Sequence, residues 1–387
     1  MSCTATENAI PTLPAKGNLS FVLEAVDKTS FQERPVKPPA PLEVQVNVRQ
    51  TGICGSDVHY WKHGRIGDFI LKAPMVLGHE SAGIITSVGS QVEHLKVGDR
   101  VALEPGVPCL VCDKCLSGTY NHCAKLVFAA TPPYDGTLAT YYNLHSSFAH
   151  KIPDNLTLEE ASLMEPLSVA VYSALNRGEV RAMQNVLVFG AGPIGLLVAG
   201  VCKAYGAKRV VVVDILDDKL KFAFSFAATS TFKPSAAKED ESQMDASERN
   251  AAELIASLPE PDNDVARKGG FDLVMECTGA PPCIQMGIFA ARARAKFVQI
   301  GMGANEMAIP IHRIGIKELD MTGSFRYGVG AYETAINLVA SGKLDVAKIV
   351  THRYTFADCI KAFDATAKGK GEDGKAVIKV QICQGEA

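Results

Sequence analysis

Residues 185–195 read NVLVFGAGPIG. A short, mostly apolar run suited to a buried strand meets three spaced glycines, Gly190, Gly192 and Gly195, and the apolar stretch LLVAGVCKA continues as a helix. Strand, glycine turn and helix in that order form the context of a dinucleotide fingerprint. The glycines permit a tight turn and let a pyrophosphate approach the helix start, whose free N–H groups favour an anion. Twenty-four residues after Gly190, the run RVVVV ends at Asp214. A carboxylate there can accept hydrogen bonds from the adenosine ribose and would repel a 2′-phosphate, so NAD is favoured over NADP. Ile215 and Leu216 follow and offer no arginine for that phosphate, while Lys219 stands near the expected adenosine. The competing reading is an ordinary strand-to-helix turn that binds nothing.

Around this motif apolar strands alternate with amphipathic helices (RVVVVDI, FDLVMECTG, AKFVQIGMG). That texture predicts an α/β fold with a parallel sheet buried on both faces. Upstream, from Phe21 to about Ala149, the chain is strand-like and often broken (FVLEAV, LEVQVNVRQTG, SAGIITSVGS), which predicts a twisted, barrel-like β domain. The texture changes near Leu163. Residues 235–270 are charged and Ala-rich, and read as a surface helix flanked by loops with a solvated face. The apolar run 185–204 contains four glycines and a proline, so it is no membrane span.

Composition excludes several function classes. The chain has 387 residues, 47% of them hydrophobic, and 39 basic against 42 acidic side chains for a net charge of −3. Nothing in that balance points to nucleic acid or an anionic membrane, and the scattered aromatics form no stacking pattern. The opening MSCTATENAIPTLPAKGNLS lacks the basic segment and apolar run of a secretory signal, so a cytoplasmic location without structural disulfides is expected.

In a reducing compartment, GVPCLVCDKCLSGTYNHC (106–123) needs another explanation. Cys109, Cys112, Cys115 and Cys123 follow the spacing C-x2-C-x2-C-x7-C. Four thiolates on adjacent tight loops can close a tetrahedral shell around a structural zinc. An iron–sulfur cluster of the bacterial type would place the fourth cysteine three residues on and before a proline; here Ala124 follows it. A second constellation is dispersed. TGICGSDVHYW supplies Cys54, MVLGHESAG supplies His79 and Glu80, and LMEPLSVA supplies Glu165. Thiolate, imidazole and one carboxylate with an open fourth position are what a catalytic zinc requires.

The motifs CGSDVH, GHE, the four-cysteine loop and GAGPIG with its downstream Asp214 resemble the zinc-containing medium-chain dehydrogenases from about Leu19 to Gln381. MVLGHESAG, VFAATPPYDGTL, LMEPLSVAV and SFRYG are most similar to the polyol branch, the fungal xylitol and sorbitol dehydrogenases. The resemblance implies a GroES-like catalytic domain over 1–164, completed by 323–387, with a Rossmann coenzyme domain over 165–322 and the active site in the cleft. It implies one catalytic and one structural zinc, NAD as coenzyme and a homotetramer. Glu165 stands where alcohol dehydrogenases have a cysteine ligand and polyol dehydrogenases a glutamate. Which of Glu80 and Glu165 binds zinc, and which holds the bound water, stays open at this stage.

The same resemblance places Ser56 and His59 in a proton relay and Asp57 behind His79, where capping a turn is its alternative role. It places Tyr60, Phe128, Thr131 and Arg326 at the substrate, and Ile194, Ile300, Met302 and Ser324 beside the coenzyme. The implied reaction is reversible oxidation of a polyol to a 2-ketose. Zinc lowers the pKa of bound water from roughly 16 to about 7; a bound alcohol acidified likewise becomes an alkoxide, the better hydride donor. L-Arabinitol or another secondary alcohol is the alternative substrate, and a non-catalytic NAD-binding protein the alternative class. His63, His94, His122, His145, His150, His312 and His352 fall outside these motifs, and Cys202, Cys277 and Cys283 read as packing residues.

Overall fold

The computed structural model describes residues 17–259 and 263–385. The signal-free reading of the amino terminus therefore lies largely outside the described residues. Among those described, no helix is long and apolar enough to cross a membrane. The chain divides into two compact units, one running to Pro166 and resuming at Gly328, the other spanning Leu167–Tyr327.

The first unit is built on a seven-stranded sheet whose central member is Glu43–Gly52. One edge of that strand pairs antiparallel with Glu80–Val88; the other pairs with Tyr141–His145 and, further along, with Lys379–Cys383. It is buried almost throughout because neighbours cover both edges. Its register sets Gly52 opposite both Glu80 and Gln381. Three segments distant in sequence thereby converge at one strand end. The chain then turns into helix α1 (Gly55–His63), with Asp57 in its first turn and Gly64 at φ 67° as its left-handed stop, a common glycine terminator. Tyr60 and Trp61 are the large buried side chains of α1; Trp61 meets Phe363 edge-on with ring centres 5.8 Å apart. That packing fixes the helix against the C-terminal segment.

The second unit is a six-stranded sheet of β1 (Asn185–Phe189), β2 (Arg209–Val213), β3 (Ser230–Phe232), β4 (Phe271–Glu276), β5 (Ala291–Gln299) and β6 (Asp320–Gly323). All neighbours pair parallel, in the order β3-β2-β1-β4-β5-β6. This doubly wound order binds dinucleotides at the carboxyl ends of its strands, where the strand order reverses. Every residue of β1, β2 and β4 is buried, as their unbroken apolar runs predict for a sheet covered on both faces.

Within the charged stretch, helix Gln243–Ser257 is a surface helix as expected: it buries Ala246, Ser247, Asn250, Ala251 and Leu254 on one face and leaves Asp245, Glu248 and Glu253 exposed, with Arg249 paired to Glu241 and Glu253. One departure concerns redox state. Cys383 is disulfide-bonded, contrary to the expectation of none, and lies at the end of a sheet strand. Nine other described cysteines are free.

Candidate active site

At the strand end in the first unit, Cys54, His79 and Glu80 bring one thiol, one imidazole and one carboxylate within 4.8 Å of one another. Sheet register does this: Glu80 faces Gly52, two residues before Cys54. Gly52 itself has no room for a side chain, since a Cβ would come within 2.3 Å of Glu80 Oε2. His79 and Glu80 are buried. The sulfur, nitrogen and oxygen donor set is one that zinc accepts, and one donor atom from each residue lies close enough to the others to share a single ion. These residues fit a zinc ion. Glu165, on helix Met164–Val171, is buried but lies outside this three-residue group.

Asp57 performs two tasks at once. Its Oδ2 accepts the Cys54 N–H at 3.1 Å and its Oδ1 the Gly78 N–H at 2.9 Å, pinning together the loops that carry the two donors. Oδ1 also stands 3.4 Å from His79 Nδ1, leaving Nε2, 3.5 Å from Ser56 Oγ, as the nitrogen turned away from Asp57. The capping and orienting roles open in the sequence coexist. Burial pushes Asp57 up, but His79 and the two backbone donors bring it below the ordinary carboxylate value. Burial likewise pulls His79 down, and the Asp57 charge more than reverses this, lifting it well above the ordinary imidazole value.

Lys379 is a further member of this site that the motifs did not single out. This lysine is 3% exposed, pairs with Glu80 through Nζ and donates to the Ile53 carbonyl at 3.0 Å. Burial alone lowers a lysine; the charges of Glu80, Cys54 and Glu165 keep this one above its ordinary value. A lysine inside the apolar run AVIKVQI was the available signal, because lysine is almost never fully buried unless paired.

Near the metal-ligand group, Phe128 is buried with its ring centre 5.8 Å from that of His79; Thr131 is buried and its N–H donates to the Phe128 carbonyl. Tyr60 is buried on α1, while Ser56 is half-buried and His59 exposed. Arg326 falls in the other unit, half-buried at φ 53°, over the Phe325 ring.

The four-cysteine loop forms the second donor group. Sγ separations are 3.4 Å for Cys112 to Cys115, 3.8 Å for Cys112 to Cys123 and 3.9 Å for Cys109 to Cys115. A disulfide needs sulfurs about 2.05 Å apart, whereas a tetrahedral zinc with bonds of about 2.3 Å places them about 3.8 Å apart. The loop fits zinc and excludes bridging. A hydrogen bond from the Val111 N–H is the main cause bringing the Cys109 thiol down to about 6. Tyr120, within the loop, donates to Glu104 Oε1 at 2.5 Å, and His150 holds Glu104 Oε2 at 2.7 Å. His150 thus has the structural part its position outside the motifs implied.

In the second unit, Gly190 sits at φ 92° and donates to the Val213 carbonyl. Gly192 caps helix α2 (Pro193–Ala204), with Pro193 opening it. A Cβ on Gly195 would come within 1.9 Å of the Gly190 carbonyl oxygen, so glycine is obligatory there. Asp214 Oδ2 accepts the Ala191 N–H at 2.8 Å and Oδ1 the Leu216 N–H at 3.0 Å; the carboxylate braces the glycine turn, a role the sequence reading missed. Ile194, Lys219, Ile300 and Ser324 are half-buried and Met302 exposed. Ile300, just past the end of β5, donates to the Glu276 carbonyl, and Ser324, just past the end of β6, to that of Gln299.

Glu276, also missed, ends β4 fully buried. It accepts N–H groups from Thr278 and Gly279, each at 2.8 Å, the Gln299 amide at 2.7 Å and the Thr278 hydroxyl. Two segments are clamped by it, and they touch closely: a Cβ on Gly301 would lie 2.3 Å from the Gly279 nitrogen. An acidic residue ending an apolar strand before C-T-G was its only sequence trace.

A doubly wound dinucleotide fold in one unit, with a three-donor zinc-fitting group and a four-thiol loop in the other, defines a metal-dependent dehydrogenase. Residues 40–154 match the alcohol dehydrogenase GroES-like domain family and residues 193–341 the zinc-binding dehydrogenase family. The chain is 50% identical over 359 residues to the probable D-xylulose reductase A of Emericella nidulans, covering 92% of this chain and 96% of that one. The solved structure of L-idonate 5-dehydrogenase from Escherichia coli superposes with a TM-score of 0.81 at 28% identity, covering 95% of this chain and 98% of that one. An alcohol dehydrogenase from Escherichia coli complexed with NADH has a TM-score of 0.81 at 27% identity, covering 95% and 100%. The chain belongs to the zinc-binding, GroES-like medium-chain dehydrogenases, in their polyol dehydrogenase branch.

Proposed function

We propose that this dehydrogenase oxidises a polyol of the xylitol class to its 2-ketose with NAD, reversibly, carrying one catalytic and one structural zinc per chain and working as a homotetramer. The observation that carries this reading is the convergence of Cys54, His79 and Glu80 in a chain half identical to a probable D-xylulose reductase. Cys54, His79 and Glu80 would hold the catalytic zinc and the four-cysteine loop the structural one. When bound, the catalytic zinc supplies a Lewis acid that acidifies a substrate hydroxyl.

The chain's own residues do the remaining work. Asp57 fixes the His79 tautomer, so that Nδ1 faces a carboxylate and Nε2 is available as donor. Lys379 gives the buried Glu80 side chain a cationic partner. Ser56 takes the substrate proton and His59, exposed on α1, releases it to water, a task suited to an imidazole. Phe128 contributes an apolar wall, while Tyr60 and Thr131 bind further hydroxyls. The Gly190–Gly195 turn takes the pyrophosphate at the start of α2, with Ile194, Ile300, Met302 and Ser324 flanking the coenzyme. Asp214 has acceptor capacity beyond its two backbone partners for the ribose and repels a 2′-phosphate, with Lys219 nearby; that supports NAD over NADP.

Steady-state kinetics with xylitol, sorbitol and L-arabinitol, each with NAD and NADP, test the reading. The expected outcome is the highest kcat/KM for xylitol with NAD. No turnover of any of the three with either coenzyme would overturn it.

A further inference from the structure

We propose that His59 and His63 form an exposed two-imidazole site for a divalent transition-metal ion such as Ni2+, separate from both zinc-fitting groups. The two residues stand four apart on α1, a spacing that puts side chains on one helix face and lets two histidines share a metal. Their ring centres are 5.6 Å apart and their planes inclined at 45°. Two imidazoles that each bind one ion through a nitrogen at about 2.0–2.1 Å have centres about 4.5 to 5.5 Å apart, from square to tetrahedral ligand angles. A small side-chain rotation therefore closes the chelate. Both rings are exposed, so water can complete the coordination shell.

The surroundings tolerate a cation. Lys62 lies between the two histidines in sequence, but its Nζ is committed to Asp27 at 2.8 Å and to the face of Trp61 at 3.7 Å. Arg65 turns onto the Gly67 carbonyl. His63 occupies the last turn of α1, where the helix dipole favours positive charge. The pair His94 and His145 differs, because each already engages a ring nitrogen locally, with the Ser146 carbonyl and the Ser147 N–H.

One consequence rests on the relay role proposed for His59: an ion held by the pair would occupy the imidazole that releases the substrate proton, and turnover would slow. The test titrates zinc-loaded enzyme with Ni2+ by calorimetry, alongside His63→Gln, whose exposed position spares the fold. Loss of a direct ligand should weaken the tightest Ni2+ site by at least about tenfold, since losing even an outer partner costs 10- to 100-fold. Equal Ni2+ affinity in the two proteins overturns the site. Polyol oxidation measured over the same Ni2+ range separates the two readings. Inhibition that tracks binding and shifts with His63→Gln supports both, whereas weakened binding in the variant without inhibition of the parent upholds the site and refutes the relay.

Discussion

Replacing Glu276 by glutamine changes one atom and removes a charge, yet the structure gives it a large expected effect. Each carboxylate oxygen serves two donors: Oε1 the N–H and hydroxyl of Thr278, Oε2 the Gly279 N–H and the Gln299 amide. An amide nitrogen at either place faces donors. The less costly orientation sets it beside Thr278, whose hydroxyl can turn to accept while its N–H is left orphaned. An orphaned buried donor costs about 1–3 kcal/mol, and hydrogen bonds to a charged group contribute about 1.5–3 kcal/mol each. Relief of burying the charge offsets part of this, leaving about 2–3 kcal/mol. In a unit of this size that corresponds to a fall of roughly 5 to 10 °C in melting temperature. The clamped segments lie at the carboxyl ends of β4 and β5, where a doubly wound sheet receives its dinucleotide, so NAD affinity should fall as well. Thermal melting by circular dichroism and NAD calorimetry on the same preparations provide the assay. A melting temperature and an NAD affinity both indistinguishable from the parent would refute the clamp.

Other outcomes follow from the same geometry. Lys379→Met leaves Glu80 buried without its cation, so zinc-depleted enzyme should lose about 3–5 kcal/mol by chemical denaturation, with much of the loss recovered on adding zinc; equal losses with and without zinc would contradict the pairing. Asp264 is held at about 2 against the opposing effect of burial, by the Asn185 amide and by Lys208 and Lys268. Its folded value lies below the ordinary one, so its stabilisation is present above pH about 4 and is lost as pH falls towards about 2. Asp264→Asn should therefore lower the melting temperature at pH 7 and flatten its acid dependence; parallel curves for the two proteins would refute this.

What the sequence disclosed and withheld follows from how far each signal reaches. The fingerprint at Gly190–Gly195 is local, because turn, strand and helix are adjacent in the chain, and it was legible together with the α/β class. The four cysteines are local too, and their spacing alone pointed to a tetrahedral site. The three-donor group was legible in residue type but not in membership. Glu80 joins Cys54 and His79 because strand register sets it opposite Gly52, and register is not written in either strand alone. Lys379 reaches the same place from a strand more than three hundred residues away, which no local pattern announces. Asp214 and Glu276 were visible as strand-ending acids, but their backbone partners depend on loops that only the folded chain brings together. The disulfide at Cys383 contradicts an inference drawn from compartment rather than from geometry.

The central claim is that Cys54, His79 and Glu80 hold one zinc on which turnover depends. Zinc content per chain, measured beside xylitol oxidation in the parent enzyme and in Cys54→Ser, tests it most directly. The account predicts about two zinc ions in the parent, about one in the variant with the four-cysteine site still filled, and loss of turnover. Unchanged zinc content together with undiminished oxidation in Cys54→Ser would contradict it.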